Sequence, residues 1–315
     1  MNTNILFAFG PVSLTKFGLL TSGGMLLWIM SACIVRAWRY RRMPKGAVWF
    51  AGALMTVLGL VFSRAVYCAA NFDLYFSGER AALNVWEGGA SMGGALIGAF
   101  LGLWIASGIA GVKTGRLANC FGPGFALFAA CIALGQTMLG EGWGKAAEAA
   151  WVAETPFGVR DLYGDIRYAV YKAELLGCAA AFFAGLIPLL HRKPVRFAAW
   201  NWAVGVYCAV RIVTVSMREG AVLRVEYFRI EQIAAVVVLL IIALCRIISH
   251  IRVGAGRGRW IALFVLLAGT GIATWMEFAV DREGNLEEKY LVMTIGAVFC
   301  LTGALAGRRP RQIKR

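Results

Sequence analysis

The stretch IEQIAAVVVLLIIALCRIIS, residues 230–249, has an acid at its start, an arginine near its end and almost unbroken aliphatic side chains between them; Arg252, Arg257 and Arg259 follow it. As a helix rising ~1.5 Å per residue it is about 30 Å long, the thickness of the hydrocarbon core of a bilayer. In lipid a segment must satisfy its backbone N–H and C=O groups internally, so this run reads as a membrane-spanning helix. Eight further runs have the same length and character, at 18–36, 47–69, 88–112, 118–140, 171–190, 197–217, 260–280 and 291–307. None alternates over the length that a membrane β-barrel needs. The expectation is an all-α, polytopic integral membrane bundle of about nine transmembrane helices.

Composition agrees. With 60% hydrophobic and 16% charged residues, the chain is excluded from the water-soluble enzymes, the disordered proteins and the small disulfide-stapled folds. Its eight cysteines sit within or at the ends of apolar runs and show no Cys-x-x-Cys spacing, so no metal site and no cofactor is expected. Only Lys16 precedes the first apolar run, which reads as a retained helix rather than a cleaved signal.

Net charge is +15, from 32 Lys and Arg against 17 Asp and Glu. Nineteen of those bases lie in the segments after the first, third, fifth, seventh and ninth runs, which contain no acid; the remaining 13 share the opposite ends with all 17 acids. Positive loops stay in the cytoplasm, so the N-terminus is expected outside and the C-terminus inside. The surplus is thereby topological, and no nucleic-acid partner is expected. His191 and His250 both fall on the cytoplasmic side, leaving outer-face chemistry without a histidine base. The absence of a detectable internal repeat argues against a transporter.

Ionisable groups at membrane depth mark function or a buried pair. Counted from the basic ends at ~1.5 Å per residue, Arg64 is roughly 28 Å up its helix, Glu174 roughly 27 Å, Arg211 roughly 22 Å, and Gln136 roughly 30 Å with Glu141 beyond it. Five polar groups on four helices thus share the outer headgroup level. Guanidinium groups there suit a lipid phosphate, and carboxylates suit a hydroxyl or thiol proton; the alternative is arginines snorkelling to outer-leaflet phosphates. The segment WEGGASMGGALIG, residues 86–98, lacks side chains at Gly88, Gly89, Gly93, Gly94 and Gly98. Such a stripe admits either a neighbouring helix or a lipid.

Residues 86–98 resemble the glycine-rich segment of the bacterial prolipoprotein diacylglyceryl transferases, Trp-Asp-Gly-Gly-Met-Ser-x-His-Gly-Gly-Leu-Ile-Gly, without a gap. Leu134 to Lys145, with Gln136, Glu141, Trp143 and Gly144, is similar to the family signature Gly-Arg-x-Gly-Asn-x-x-Asn-Gly-Glu-x-Trp-Gly-Arg. Phe9 to Val12 with Phe17 and Gly18 resembles an N-terminal Ile-Gly-Pro and Tyr-Gly. Arg64 to Tyr67 with Asn71 resembles an Arg-x-x-Tyr region. Tyr207 to Arg211 with Arg218 resembles a late Tyr-Gly-x-x-Arg segment, and Gln232 a glutamine opening the seventh span. The resemblance covers roughly residues 9–245 with its motifs in order. The chain departs from it at Ala133 for the signature Arg, Gln136 and Leu139 for the two Asn, and Gly93 for the His; of a His-Pro-x-Gln-x-x-Glu motif only Glu174 remains, among Tyr168, Ala169 and Tyr171.

The resemblance implies a transferase-like seven-helix core over residues 1–249, with a small extracytoplasmic cap at 141–170. Residues 250–315 would add two C-terminal transmembrane helices and a basic tail. It implies a bacterial inner-membrane enzyme that moves a diacylglyceryl or related lipid-derived group from an anionic phospholipid, such as phosphatidylglycerol, to a lipoprotein-precursor cysteine at the outer face. The partners would be phospholipid, the precursor's signal peptide and the membrane. Arg64, Arg211 and Arg218 would bind phosphate, beside Tyr67, and Gln136 the glycerol region. Glu141 would accept a proton or orient an arginine, and Gly88, Gly89, Gly94 and Gly98 would make room for lipid. Lys145, Arg211 and Arg64 are the candidates to replace the missing Arg and His. The alternative is a catalytically inactive relative that binds lipid, precursor or a membrane partner.

Overall fold

The computed structural model describes residues 5–9, 12–76, 89–140, 142–147, 151–161, 164–191, 194–219, 224–225, 228–251, 258–280, 282 and 285–305. Among them are nine helices long and apolar enough to cross a membrane: α1 (Lys16–Arg39), α2 (Lys45–Ala70), α4 (Met92–Ile109), α5 (Thr114–Met138), α7 (Val170–Leu190), α8 (Ala198–Met217), α9 (Ile230–Ile251), α10 (Gly258–Val280) and α11 (Leu286–Leu305). Two short helices, α3 (Phe72–Phe76) and α6 (Trp151–Glu154), lie between them. The protein is a multi-pass, all-α membrane bundle. Among the described residues the strands form two-stranded antiparallel hairpins: β1 (Ile5–Phe9) with β2 (Val12–Thr15), β3 (Gly158–Arg160) with β4 (Ile166–Tyr168), and β5 (Arg224–Val225) with β6 (Phe228–Arg229).

Three spans start four or five residues from the sequence expectation, the fourth opening at Thr114 rather than 118. The third span opens at Met92, not 88, because Gly89 has φ +90 and Ser91, in extended conformation, caps the helix by accepting from the Gly94 N–H at 3.4 Å. The ninth opens at Leu286, five residues earlier than 291. Its charged first turn, Glu287 and Glu288, suits the positive end of the helix dipole, and Asn285 Oδ1 accepts the Glu287 N–H at 3.2 Å.

α5 is the central helix, with Phe121, Phe125, Leu117 and Ala118 fully enclosed. Trp28 of α1 stacks on Phe128 at 5.4 Å between ring centroids and donates from its indole to the Phe121 carbonyl at 2.7 Å. α10 and α11 pair tightly: a Cβ on Gly269 would lie 2.6 Å from the Gly296 carbonyl oxygen, and one on Gly303 2.6 Å from that of Ala262. One hydrophobic core includes residues of this C-terminal pair, such as Leu266, Met293 and Cys300, together with Phe121 and Leu239. Lipid-facing positions such as Ile34, Leu60, Trp104 and Phe264 are exposed apolar side chains, as a bundle in hydrocarbon requires.

The described part of 141–170 folds back over one end of the bundle. Gly144 N–H donates to Tyr168 at 2.7 Å and Lys145 N–H to Met217 at 3.0 Å, tying the segment to β4 and to the end of α8. Val152, Tyr168 and Val170 form a small core of their own there.

Candidate lipid site

An apolar cavity of about 270 Å³ lies between α1, α2, α4, α5, α7, α8 and α9. Met25, Met55, Leu96, Phe128 and Ile132 contribute to its walls, and among the described residues its charged lining consists of Glu174, Arg211 and Glu231, joined by Gln136. These groups come from α5, α7, α8 and α9; ion pairs join the last three on this side, and a hydrogen bond ties α5 to them.

Glu174 is the hub. Its side chain is 4% exposed, and it accepts from Arg211 Nη1 at 2.6 Å on one oxygen and from Arg218 Nη2 at 2.5 Å on the other. Arg218 Nη2 also donates to Gln136 Oε1 at 2.6 Å, and Arg211 Nη2 is paired with Glu231. Arg218 follows the last residue of α8, and burial, together with the neighbouring Arg211 guanidinium, pulls its pKa below the ordinary arginine value. A guanidinium remains charged even so.

A second layer supports the first. Arg229 is 2% exposed and donates to the carbonyls of Val215 and Arg218, the latter at 3.0 Å, at the C-terminal end of α8 where a cation is favoured. Glu277 of α10 lies 3.2 Å from Arg229 Nε and accepts from Gln232 Nε2 at 2.9 Å, while Gln232 also donates to the Ile212 carbonyl at 2.9 Å. Tyr168 donates its hydroxyl to Glu287 of α11 at 2.9 Å. The two C-terminal helices, α10 and α11, therefore reach the charged end of the bundle with their own carboxylates.

Glu174 and Arg211, singled out by depth, meet directly, and Arg218 links Gln136 to them. Arg64 is buried on α2 and makes its described contacts with the Gly89 carbonyl, at 3.1 Å, and with the rings of Tyr67 and Tyr75, 5.7 and 5.3 Å from their centroids. Gly88 and Glu141 lie outside the described residues. At the other glycines the space left by the missing side chain is occupied by protein. A Cβ on Gly94 would sit 2.4 Å from the Phe62 carbonyl oxygen, and one on Gly98 2.1 Å from that of Leu58, so the backbone of α2 fills the space assigned to lipid. At Gly89 the Tyr67 ring does so, 2.3 Å from the ideal Cβ position. Ala133 lines the cavity, so the substituted signature position faces it. Gly93 is closed off by Ala234, 2.8 Å from its ideal Cβ.

Glu231 and Arg229 were missed by sequence reasoning. An acid in the first turn of a span reads as an ordinary boundary charge; the one signal was adjacency to Gln232. Glu277, 18 residues past Arg259 and so roughly 27 Å along its helix, has the same outer depth, but depth along a helix does not say which way the side chain turns.

These features define a polytopic membrane protein with an arginine–carboxylate cluster at the end of an apolar cavity. The family model for prolipoprotein diacylglyceryl transferase matches residues 4–308, and the chain belongs to that transferase family. It is similar to phosphatidylglycerol–prolipoprotein diacylglyceryl transferase 1 of Streptomyces coelicolor, 25% identical over 263 residues, 82% of this chain and 68% of the relative. It is also similar to the Bacillus velezensis phosphatidylglycerol–prolipoprotein diacylglyceryl transferase, 23% identical over 79% of this chain and 92% of that one. The Vibrio vulnificus enzyme of the same name is 30% identical over 171 residues, 49% of this chain and 57% of the relative. At these identities the chain is a divergent member.

Proposed function

We propose that the protein transfers a diacylglyceryl group from an anionic phospholipid such as phosphatidylglycerol to the cysteine thiol of a lipoprotein precursor at the outer face of the bacterial inner membrane. The observation that carries this reading is the cavity whose apolar walls end at Arg211, Glu174 and Glu231, with Arg218 bound behind Glu174. Apolar walls suit acyl and glyceryl carbons; arginines suit the phosphate. In the reaction the thiol sulfur attacks a glyceryl carbon, forming a C–S bond. The C–O bond to phosphate breaks, and glycerol phosphate leaves with the bonding electron pair. The thiol begins with a pKa near 8.5, so its proton must pass to a base, the role proposed for Glu141. Arg211 and Arg218 would stabilise charge on the departing phosphate, with Glu174 holding the two guanidiniums in place. Arg64 and Gln136 are proposed to assist in donor binding, with Tyr67 beside Arg64.

The test is turnover. Purified protein in phosphatidylglycerol nanodiscs, given a lipobox peptide, is expected to yield a thioether-linked product, and Arg211→Ala to lower that yield by at least about 100-fold, as loss of a transition-state charge contact does. No product with any phospholipid or lipobox peptide overturns the reading.

A second reading, an inactive relative that binds lipid, is favoured by Ala133 in the cavity wall and by Arg211 already meeting two carboxylates. It expects a stoichiometric co-purifying lipid with no turnover, and no growth of a cell depleted of its ordinary transferase.

A further inference from the structure

Arg211 faces the cavity, yet both of its terminal nitrogens are taken, Nη1 by Glu174 and Nη2 by Glu231. A guanidinium keeps further N–H donors, but the charge of this one is already met by two carboxylates, so a lipid phosphate gains the full ion pair only by displacing one of them. The two carboxylates are not equivalent. Glu174 is 4% exposed and is also held by Arg218, so it cannot turn away from Arg211 without breaking a second buried ion pair. Glu231 is 21% exposed, borders the cavity and sits in the first turn of α9, where the helix dipole stabilises an anion that has lost its partner. Glu231 is the one that can leave.

We propose that Glu231 is the exchangeable counter-anion of Arg211: it holds the guanidinium until the phosphodiester of the donor lipid takes its place, and so sets the affinity for that lipid. Anion replaces anion at the guanidinium, and the displaced carboxylate remains at the start of α9. The proposal rests on the transferase reading only in identifying the lipid as the donor.

The experiment measures binding apart from turnover. Affinities of the purified full chain for phosphatidylglycerol and for diacylglycerol, which lacks phosphate, are compared by native mass spectrometry. Removing the competing charge in Glu231→Gln is expected to tighten phosphatidylglycerol binding about tenfold, equivalent to about 1.4 kcal/mol, and to leave diacylglycerol binding unchanged. Glu231→Asp, which keeps the charge but shortens its reach, is expected to give a smaller gain in the same direction. In an Arg211→Gln background the gain should vanish, because the two residues act through one contact. Unchanged or weaker phosphatidylglycerol binding in both Glu231 variants overturns the proposal. So does a gain that survives Arg211→Gln, or an equal gain for diacylglycerol. Thioether formation by the same samples separates the two ideas: tighter binding without product sinks the transferase reading alone, and product with unaltered binding sinks the counter-anion alone.

Discussion

A single carboxylate, Glu174, holds two buried guanidiniums, and that arrangement makes it the most costly side chain of the cluster to remove. Taking one partner out of a buried ion pair destabilises by about 3–5 kcal/mol, because the remaining charge keeps its desolvation cost and loses its compensation. Glu174→Ala leaves Arg211 and Arg218 facing each other across the gap. It is expected to lower the thermal unfolding midpoint in detergent markedly. Glu174→Gln, which retains an oxygen acceptor, should lower it by less. A midpoint for Glu174→Ala equal to that of the parent would show that the cluster contributes nothing to folding. Gln136, Glu174 and Arg211 were legible in the sequence because a polar side chain deep in an apolar run is conspicuous. Glu231 was not, since one acid in the first turn of a helix is ordinary. Arg229 was hidden for a different reason: it lies in a two-residue strand before α9, and nothing in its local sequence shows that it turns back under the end of α8.

The glycine stripe belongs to the scale of the helix pair. Gly94, Gly98 and Gly102 recur every fourth residue on one face of α4, and ideal Cβ atoms on them would lie 2.4, 2.1 and 2.8 Å from carbonyl oxygens of α2. Backbone cannot yield as a flexible side chain can, so the two helices would have to part. Spacing alone revealed the face but not its occupant, since a lipid and a helix ask for the same missing side chains. Gly108, in the last turn of the same helix, has nothing within 4 Å of its Cβ position. Opposite signs follow. Gly98→Ala is expected to destabilise by about 1–3 kcal/mol through overpacking. Gly108→Ala should stabilise by roughly 0.5–1 kcal/mol, since alanine loses less backbone entropy in a helix. Thermal unfolding of both variants in one detergent decides it: a neutral Gly98→Ala would mean that α2 and α4 are not in backbone contact.

At the scale of the molecule, all nine spans were legible because bilayer thickness fixes their length, whereas how the last two meet the rest depends on contacts far apart in the chain, Glu277 with Gln232 and Glu287 with Tyr168. The two ends of the bundle differ in chemistry. At one, Asn119 donates to Tyr40 at 3.1 Å and to the Val195 carbonyl at 2.8 Å, and Arg39 donates to the carbonyls of Leu189 and His191, knitting together the termini of α1, α5, α7 and α8. This is the end that carries the acid-free basic segments. The other end carries the Glu174 cluster and the folded part of 141–170, with Asp161 and Glu219 both paired to Arg167. An excess of Lys and Arg resists translocation, so the Asn119 end should face the cytoplasm and the Glu174 end the outside. Val195 and Ala146, exposed at the two ends, report on this without disturbing a buried contact. In spheroplasts, a membrane-impermeant maleimide should label Ala146→Cys at once and Val195→Cys only after the membrane is opened, against the background of the native cysteines. The reverse pattern would place the arginine cluster on the cytoplasmic side, where a secreted lipoprotein precursor could not present its cysteine after crossing the membrane, and the proposed acceptor would have to be abandoned with the orientation.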